Sequence, residues 1–327
     1  MPRFHSAKVR EIIDLRDGLQ RVRLDDGTNA YALTDVVGTA QPGDVVVVNT
    51  TAVDLDLGTG GWHVIHWVDN GPKPPTKLTG RVLKARYLSE QTEVEPHISV
   101  RQNLTGARVL LCLLHSQIGA VAASAATSRL GYLMTDQSAL PLALSDLVHQ
   151  LAKANLIGMT VTAGQAFGGQ VEAIGVPSGV AALLDNEYSQ IVVAAGPGHV
   201  GTASPLGFSG LELAGHASTL SALGAEVALC VRASDVEGRE RHQGISHHMA
   251  TILKAIPTQI EVPIPSGFDT SWVSDLGHKP RLLEPVDVAG AVNDSGLNIT
   301  TMTRPIVEDD LACSYLGAAT AWLTGPT

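Results

Sequence analysis

Histidine, arginine and glycine gather in two stretches of this chain, and both have the chemistry to handle a negatively charged ligand. The first, "IVVAAGPGHVGTASPLGFSG" at residues 191–210, is an apolar run that breaks into a glycine-rich loop. Gly196, Gly198 and Gly201 spell G-x-G-x-x-G, the spacing that lets a backbone approach a dinucleotide pyrophosphate. That chemistry needs the third glycine inside the first turn of a helix. Here Pro205 follows closely and a helical pattern resumes only near Ser209. The loop also follows a fourth strand rather than a first. Asp235, the next acidic residue at a strand end, lies well beyond the ~20 residues a ribose contact requires. The loop therefore fails as a nicotinamide signature. Its N–H groups and the Thr202 hydroxyl still suit a carboxylate or phosphate; the plain alternative is a tight turn in a chain with 33 glycines.

The second stretch, "RASDVEGRERHQGISHHM" at residues 232–249, gathers Arg232, Arg239, Arg241, His242, His247 and His248. Guanidinium forks match carboxylate and phosphate geometry. Ser246 can cap the following helix, whose N-terminus adds to the same field. Asp235, Glu237 and Glu240 balance the arginines, so a solvated charged loop is the plain alternative. A metal reading is weaker, and no metal is assigned. His247 and His248 are adjacent and diverge by about 100° on a helix, unlike an i, i+4 ligand pair. His242 or His199 could complete a metal site only through tertiary folding.

The anion-holding candidates are thus Gly196, Gly198, Gly201, Thr202, Arg239, Arg241, His247 and His248. For proton transfer the candidates are His115, Asp136, His199 and His242, imidazole being the side chain that titrates near neutrality. Other chemistries leave no trace. There is no G-x-S-x-G elbow and no G-x-x-x-x-G-K-[ST] phosphate loop. Cys112 and Cys230 fall within apolar strands and Cys313 on a helical face, where cysteine is a small buried hydrophobe. His63 and His66 read as surface residues of a strand, and residues 49–61, with Asp54 and Asp56, as a wide barrel loop.

Two kinds of sequence grammar position these residues. Residues 1–83 carry strand and turn signals: "GLQRVRLDDGTNAYAL" alternates around Asp26-Gly27, and "QPGDVVVVNTT" and "GWHVIHWV" add strands. They predict a small all-β barrel or sandwich. The tract "DNGPKPPTKLTG" reads as a loop or domain edge, and residues 84–105 as a linker. Residues 106–327 predict a doubly wound, mainly parallel Rossmann-like α/β sheet. Its strands are "ARVLLCLLHS", "LGYLMTD", "IGMTVTAG", "QIVVAAGPG" and "AEVALCVRAS", each followed by a helical pattern. Residues 257–265, "QIEVPIP" and its lead-in, read as an edge strand that could return to the β domain. "EPVDVAGAVNDSG", "LNITTM" and "EDDLACSYLGAATAWL" read as helix, strand and helix. Each strand of the sheet ends in polar residues, and ligands of open α/β sheets bind outside the carboxyl ends of the strands. His115, Asp136, the 164–169 glycines, His199 and Asp235 are therefore expected to line one crevice.

Composition bounds the partners. A chain of 327 residues with formal charge −10 argues against nucleic acid or an anionic membrane surface. The opening "MPRFHSAKVR" leads into no apolar signal region, and three cysteines lack metal-type spacing, so the expected compartment is the cytoplasm. A homo-oligomer is compatible with all of this.

Taken together, "VVNTTAVDLDLGTGG", "KARY", "MTDQSALPLA", "GQAFGG", "AAGPGHVGTASPLGFSG" and "RERHQGISHH" resemble a bacterial family of unknown function, domain of unknown function 3866, over nearly the whole chain. Ala203-Ser204-Pro205 is less polar than that resemblance implies. The resemblance supports the domain plan and implies no activity, cofactor or catalytic residue. The residues themselves point to an enzyme, or a binding protein derived from one, acting on a small phosphorylated or carboxylate metabolite at the strand ends. The alternatives are a dinucleotide-dependent oxidoreductase using the 196–201 loop, or a non-catalytic scaffold binding a partner through the β domain.

Overall fold

The structure is a computed structural model that describes all residues except 58–59, 70, 72–79, 126–128, 203 and 326–327. Most of the proline-rich tract, part of the 49–61 loop and Ala203 thus lie outside the described residues. The chain divides into two compact units, Met1–Glu95 and Pro96–Thr327.

In the first unit β1 (Phe4–Arg16), β2 (Leu19–Leu24), β3 (Asn29–Leu33), β4 (Val45–Asn49) and β5 (Trp62–Val68) form a closed barrel in the order β1-β2-β3-β5-β4. One-turn helices α1 (Thr34–Val37) and α2 (Thr51–Asp54) follow β3 and β4. The expected hairpin turn is present: Gly27 adopts φ +88°, a conformation that glycine takes without strain, and the Asp26 carboxylate accepts from the Thr28 N–H at 2.9 Å. Valine, alanine and isoleucine at alternate positions, among them Val9, Val22, Ala30, Val46, Val48 and Ile65, fill the interior. Strand β1 carries no clear alternation because most of its side chains are exposed, yet it closes the barrel by pairing with both β2 and β4. Its mid-strand register shifts supply the bend that closure demands. His63 corrects the surface reading: it is buried on the inward face of β5, whereas His66 meets Glu90 at 3.0 Å. Strands β6 (Val82–Lys84) and β7 (Thr92–Val94) pair antiparallel, so part of the 84–105 stretch is structured.

The second unit begins with β8 (Arg108–Cys112), α3 (His115–Ser124), β9 (Leu130–Thr135), α4 (Asp146–Lys153), β10 (Met159–Thr162), β11 (Val171–Glu172) and α5 (Val176–Asp185). It continues through β12 (Gln190–Ala195), α6 (Glu212–Ala222), β13 (Glu226–Cys230), the short pair β14 (Ala233–Ser234) and β15 (Gly244–Ile245), and α7 (His247–Ala255). It ends with β16 (Glu261–Pro265), α8 (Ser271–Ser274), β17 (Lys279–Leu283), α9 (Val288–Ser295) and α10 (Asp310–Thr324). Eight strands form one parallel sheet, ordered β11-β10-β9-β12-β8-β13-β16-β17.

Alternation along the strands divides the core. Val109, Leu111, Val193 and Leu229 pack with α5, α6 and α7, while Leu110, Cys112, Val192 and Cys230 pack with α3, α4, α9 and α10. The sheet is doubly wound. Gly179 lets α5 lie close on β9, since a Cβ there would collide with Leu133. Two expectations at the C-terminal end change. Residues 257–265 hold β16, which lies inside the parallel sheet between β13 and β17 and does not return to the barrel. "LNITTM" contributes only Thr300–Thr301, paired antiparallel with Arg304–Pro305 outside the main sheet.

Candidate functional site

Strand β8 leads into α3 on one face of the sheet, and its neighbour β12 leads into α6 on the other. A crevice opens at such a point, outside the strand ends. His115, first residue of α3, bridges it: Nδ1 lies 3.0 Å from the Ala195 carbonyl and Nε2 2.7 Å from the Ser145 hydroxyl. A carbonyl only accepts, so Nδ1 carries the proton and donates. Burial lowers the His115 pKa to about 4, so the ring is neutral at physiological pH. Both nitrogens are engaged, and His115 braces the strand ends.

The N–H groups of Gly168 and Gly169 bond Glu172 and Thr162, whereas Asp136 meets the start of the 164–169 stretch. The carboxylate accepts from the Gln165 N–H at 2.8 Å, and a Cβ on Gly164 would collide with it. Gly164 also has φ +67°, so the turn requires glycine twice over. The role the geometry gives Asp136 is to hold this turn.

The glycine-rich loop is a small hairpin. The Val200 carbonyl accepts from Ser209, and the Thr202 N–H donates to the Gly207 carbonyl at 2.7 Å. The N–H groups of Val200 and Ser204 are taken by the hydroxyls of Ser209 and Thr202. Gly201 sits in that hairpin opposite Phe208, and α6 starts only at Glu212 after a single 3-10 turn. Gly196 allows close passage, because a Cβ there would stand 2.6 Å from the Ala139 carbonyl. Ser209 does not cap α6; its hydroxyl instead meets Nδ1 of His199 at 2.9 Å.

His199 stands beside a group of three further histidines. Ring centroids are 6.3 Å apart for His199–His248, 4.2 Å for His247–His248, 5.1 Å for His242–His247 and 5.0 Å for His242–His248. The divergence expected of adjacent helical histidines does not keep the rings of His247 and His248 apart at the first turn of α7, and His242 arrives from the 3-10 turn Glu240–His242. Ser246 caps α7 as expected and also meets Nδ1 of His242 at 2.8 Å. Arg241 Nε, which can only donate, points at Nε2 of His242 from 3.4 Å. His242 therefore carries its proton on Nδ1 and keeps a lone pair on Nε2. Burial lowers the pKa of His242 to about 4 and of His248 to about 3, helped by Arg232 and neighbouring imidazoles. His199 and His247 are lowered by the same causes, burial first and then the arginines.

Arg232, at the end of β13, is only 8% exposed. It shares one carboxylate with two other arginines: Glu237 accepts Arg239 at 3.0 and 2.9 Å and Arg304 at 3.3 Å, with Arg232 at 3.8 Å. The Arg239 contacts pull the Glu237 pKa down to about 2, while burial and the surrounding guanidinium groups lower that of Arg232 to about 10. Arg239 is thus engaged through its fork, whereas Arg241 has no carboxylate partner among the described residues. A narrow cleft beside this cluster is lined by Ser116, Arg232, Ser234, Glu237, Arg304 and Asp309. Asp309, fully buried, caps α10 and accepts from Ser234 and the Asp235 N–H. Burial and this second carboxylate raise the pKa of Asp235.

His199, His242, His247, His248 and Arg241 therefore converge, and His115 and Asp136 lie at the same ends of the sheet in bracing roles. Sequence reasoning missed Arg304, an isolated arginine in a two-residue strand with no local signal. It also missed Asp309, whose place just before the "DLACSYLGAATAWL" helix was a readable cap. No helix among the described residues is long and apolar enough to cross a membrane.

No curated protein matches the chain. A family model described as protein of unknown function (DUF3866) matches residues 29–321, from the barrel through α10, and the chain belongs to that family.

Proposed function

We propose that this protein binds a small anionic metabolite, phosphorylated or carboxylate-bearing, at the carboxyl ends of the parallel strands, and acts on it as an enzyme. The observation that carries this reading is three guanidinium groups, Arg232, Arg239 and Arg304, around the single carboxylate of Glu237, with Arg241 alongside and paired with no carboxylate among the described residues. Positive charge held at low dielectric favours an anionic guest. Arg241 supplies donors toward solvent, and the buried Arg232 supplies the fixed field behind it.

His199 is the proton-transfer group this reading favours. Its Nδ1 is held by Ser209, and its Nε2 is buried without a partner among the described residues. The glycine loop contributes shape more than donors, since its Val200, Thr202 and Ser204 N–H groups are already bonded within it. Phosphate, sulfate and small dicarboxylates should each raise the melting temperature in a concentration-dependent way. Their failure to do so, with nucleotide-free protein at low ionic strength, would remove the reading.

A further inference from the structure

We propose that His242, His247 and His248 form a binding site for a divalent first-row transition metal ion, zinc being the ion their donors fit best. One ring nitrogen from each lies within 4.8 Å of the other two. Nε2 of His247 and Nδ1 of His248 are buried without a hydrogen-bond partner among the described residues. A buried polar atom left bare in a native fold calls for an explanation such as an ion. His242 supplies the third lone pair on Nε2, its proton sitting on Nδ1 facing Ser246; the ion would replace the long 3.4 Å contact that this Nε2 accepts from Arg241. A ligating histidine whose other nitrogen is held in this way has its tautomer and ring orientation set in advance.

Imidazole donors suit zinc, copper, nickel and iron, and three of them leave a fourth position open. Zinc–nitrogen bonds of about 2.0–2.1 Å place tetrahedral ligand pairs ~3.3 Å apart. The rings must close by less than 2 Å from their present spacing, roughly the difference between these separations. His247, the most exposed of the three, can supply most of that movement. Phe208 stacks on His248 with centroids 3.9 Å apart and fixes the ring the ion would meet. The nearby Arg232 and Arg241 oppose a bare cation, which favours an anion in the open position. Metal binding itself does not rest on the anion reading.

The test uses the full chain without a polyhistidine tag, stripped with a chelator and kept in a buffer free of phosphate and carboxylates. Cobalt(II) and zinc(II) are titrated by visible absorption and calorimetry. One equivalent should bind, with a cobalt band of tetrahedral intensity. His247→Ala should weaken zinc by more than ~100-fold, beyond the 10–100-fold typical of losing an outer partner, and Ser246→Ala by that smaller factor. His247→Ala carries the test because it removes the most exposed ring and spares the packing of His242 and His248; circular dichroism confirms its fold. His149→Ala, on the exposed face of α4, should change nothing. Equal zinc affinity in wild type and His247→Ala, or no binding above that of the denatured chain, would overturn the site. Phosphate binding to the stripped protein is scored separately, so the two readings fail independently.

Discussion

The imidazole of His248 lies face to face on the ring of Phe208, with centroids 3.9 Å apart and planes within 5° of each other. Phe208 closes the glycine-rich hairpin that follows β12, and His248 opens the helix that follows β13. The stack therefore joins, across the end of β8, the two stretches that sequence chemistry singles out. Phe208 is 6% exposed. Phe208→Ala should cost about 3–5 kcal/mol by denaturant unfolding and loosen ligand binding, while Phe208→Leu should cost less. Loss of stability without any change in ligand affinity would make the stack a matter of packing alone.

Acid should weaken the fold through its buried histidines. His115 and His242 fall from 6.5 to about 4 and His248 to about 3 in the folded protein. Between those values and 6.5 the unfolded chain binds more protons than the folded one. The stability these rings contribute is complete above pH ~6.5 and is lost as pH falls through the folded values near 4 and 3. Urea midpoints measured across that range should decline toward acid, and His115→Gln should decline less steeply. A flat profile would mean that these rings are solvated.

Asp136→Ala should lower stability by about 1 kcal/mol, because the half-buried turn loses the acceptor for its Gln165 N–H. Phosphate affinity of the folded variant should stay close to that of wild type. A variant of normal stability that no longer turns over its substrate would return Asp136 to the chemistry.

Neither NAD nor NADP should shift the melting temperature at millimolar concentration. A pyrophosphate needs the N-terminus of a helix close behind the glycines, and α6 begins at Glu212, beyond the 200–209 hairpin. A clear rise with either dinucleotide would place a cofactor site elsewhere on the sheet.

The parallel sheet was legible because apolar strands buried on both faces read as continuous runs, and β8, β9, β12 and β13 are of that kind. β1 and β17 were not, since edge and barrel strands with exposed charges carry no such run. At the strand ends, residue type singled out histidines that the fold brings together, but their partners did not follow from spacing. Whether Arg239 faced solvent or Glu237 depended on a turn that pattern alone does not describe. The approach of His242 to His247 and His248 depended on the β14–β15 pair that folds residues 233–245 back.

Phosphate affinity in wild type and Arg241→Ala, measured by calorimetry at low salt with Arg10→Ala as an exposed control on the barrel, tests the central claim most directly. Loss of one charge-assisted contact should weaken binding about ten- to a hundredfold in Arg241→Ala and leave Arg10→Ala unchanged. Equal affinity in all three proteins, or no measurable binding in wild type, would contradict an anion site at the ends of the parallel strands.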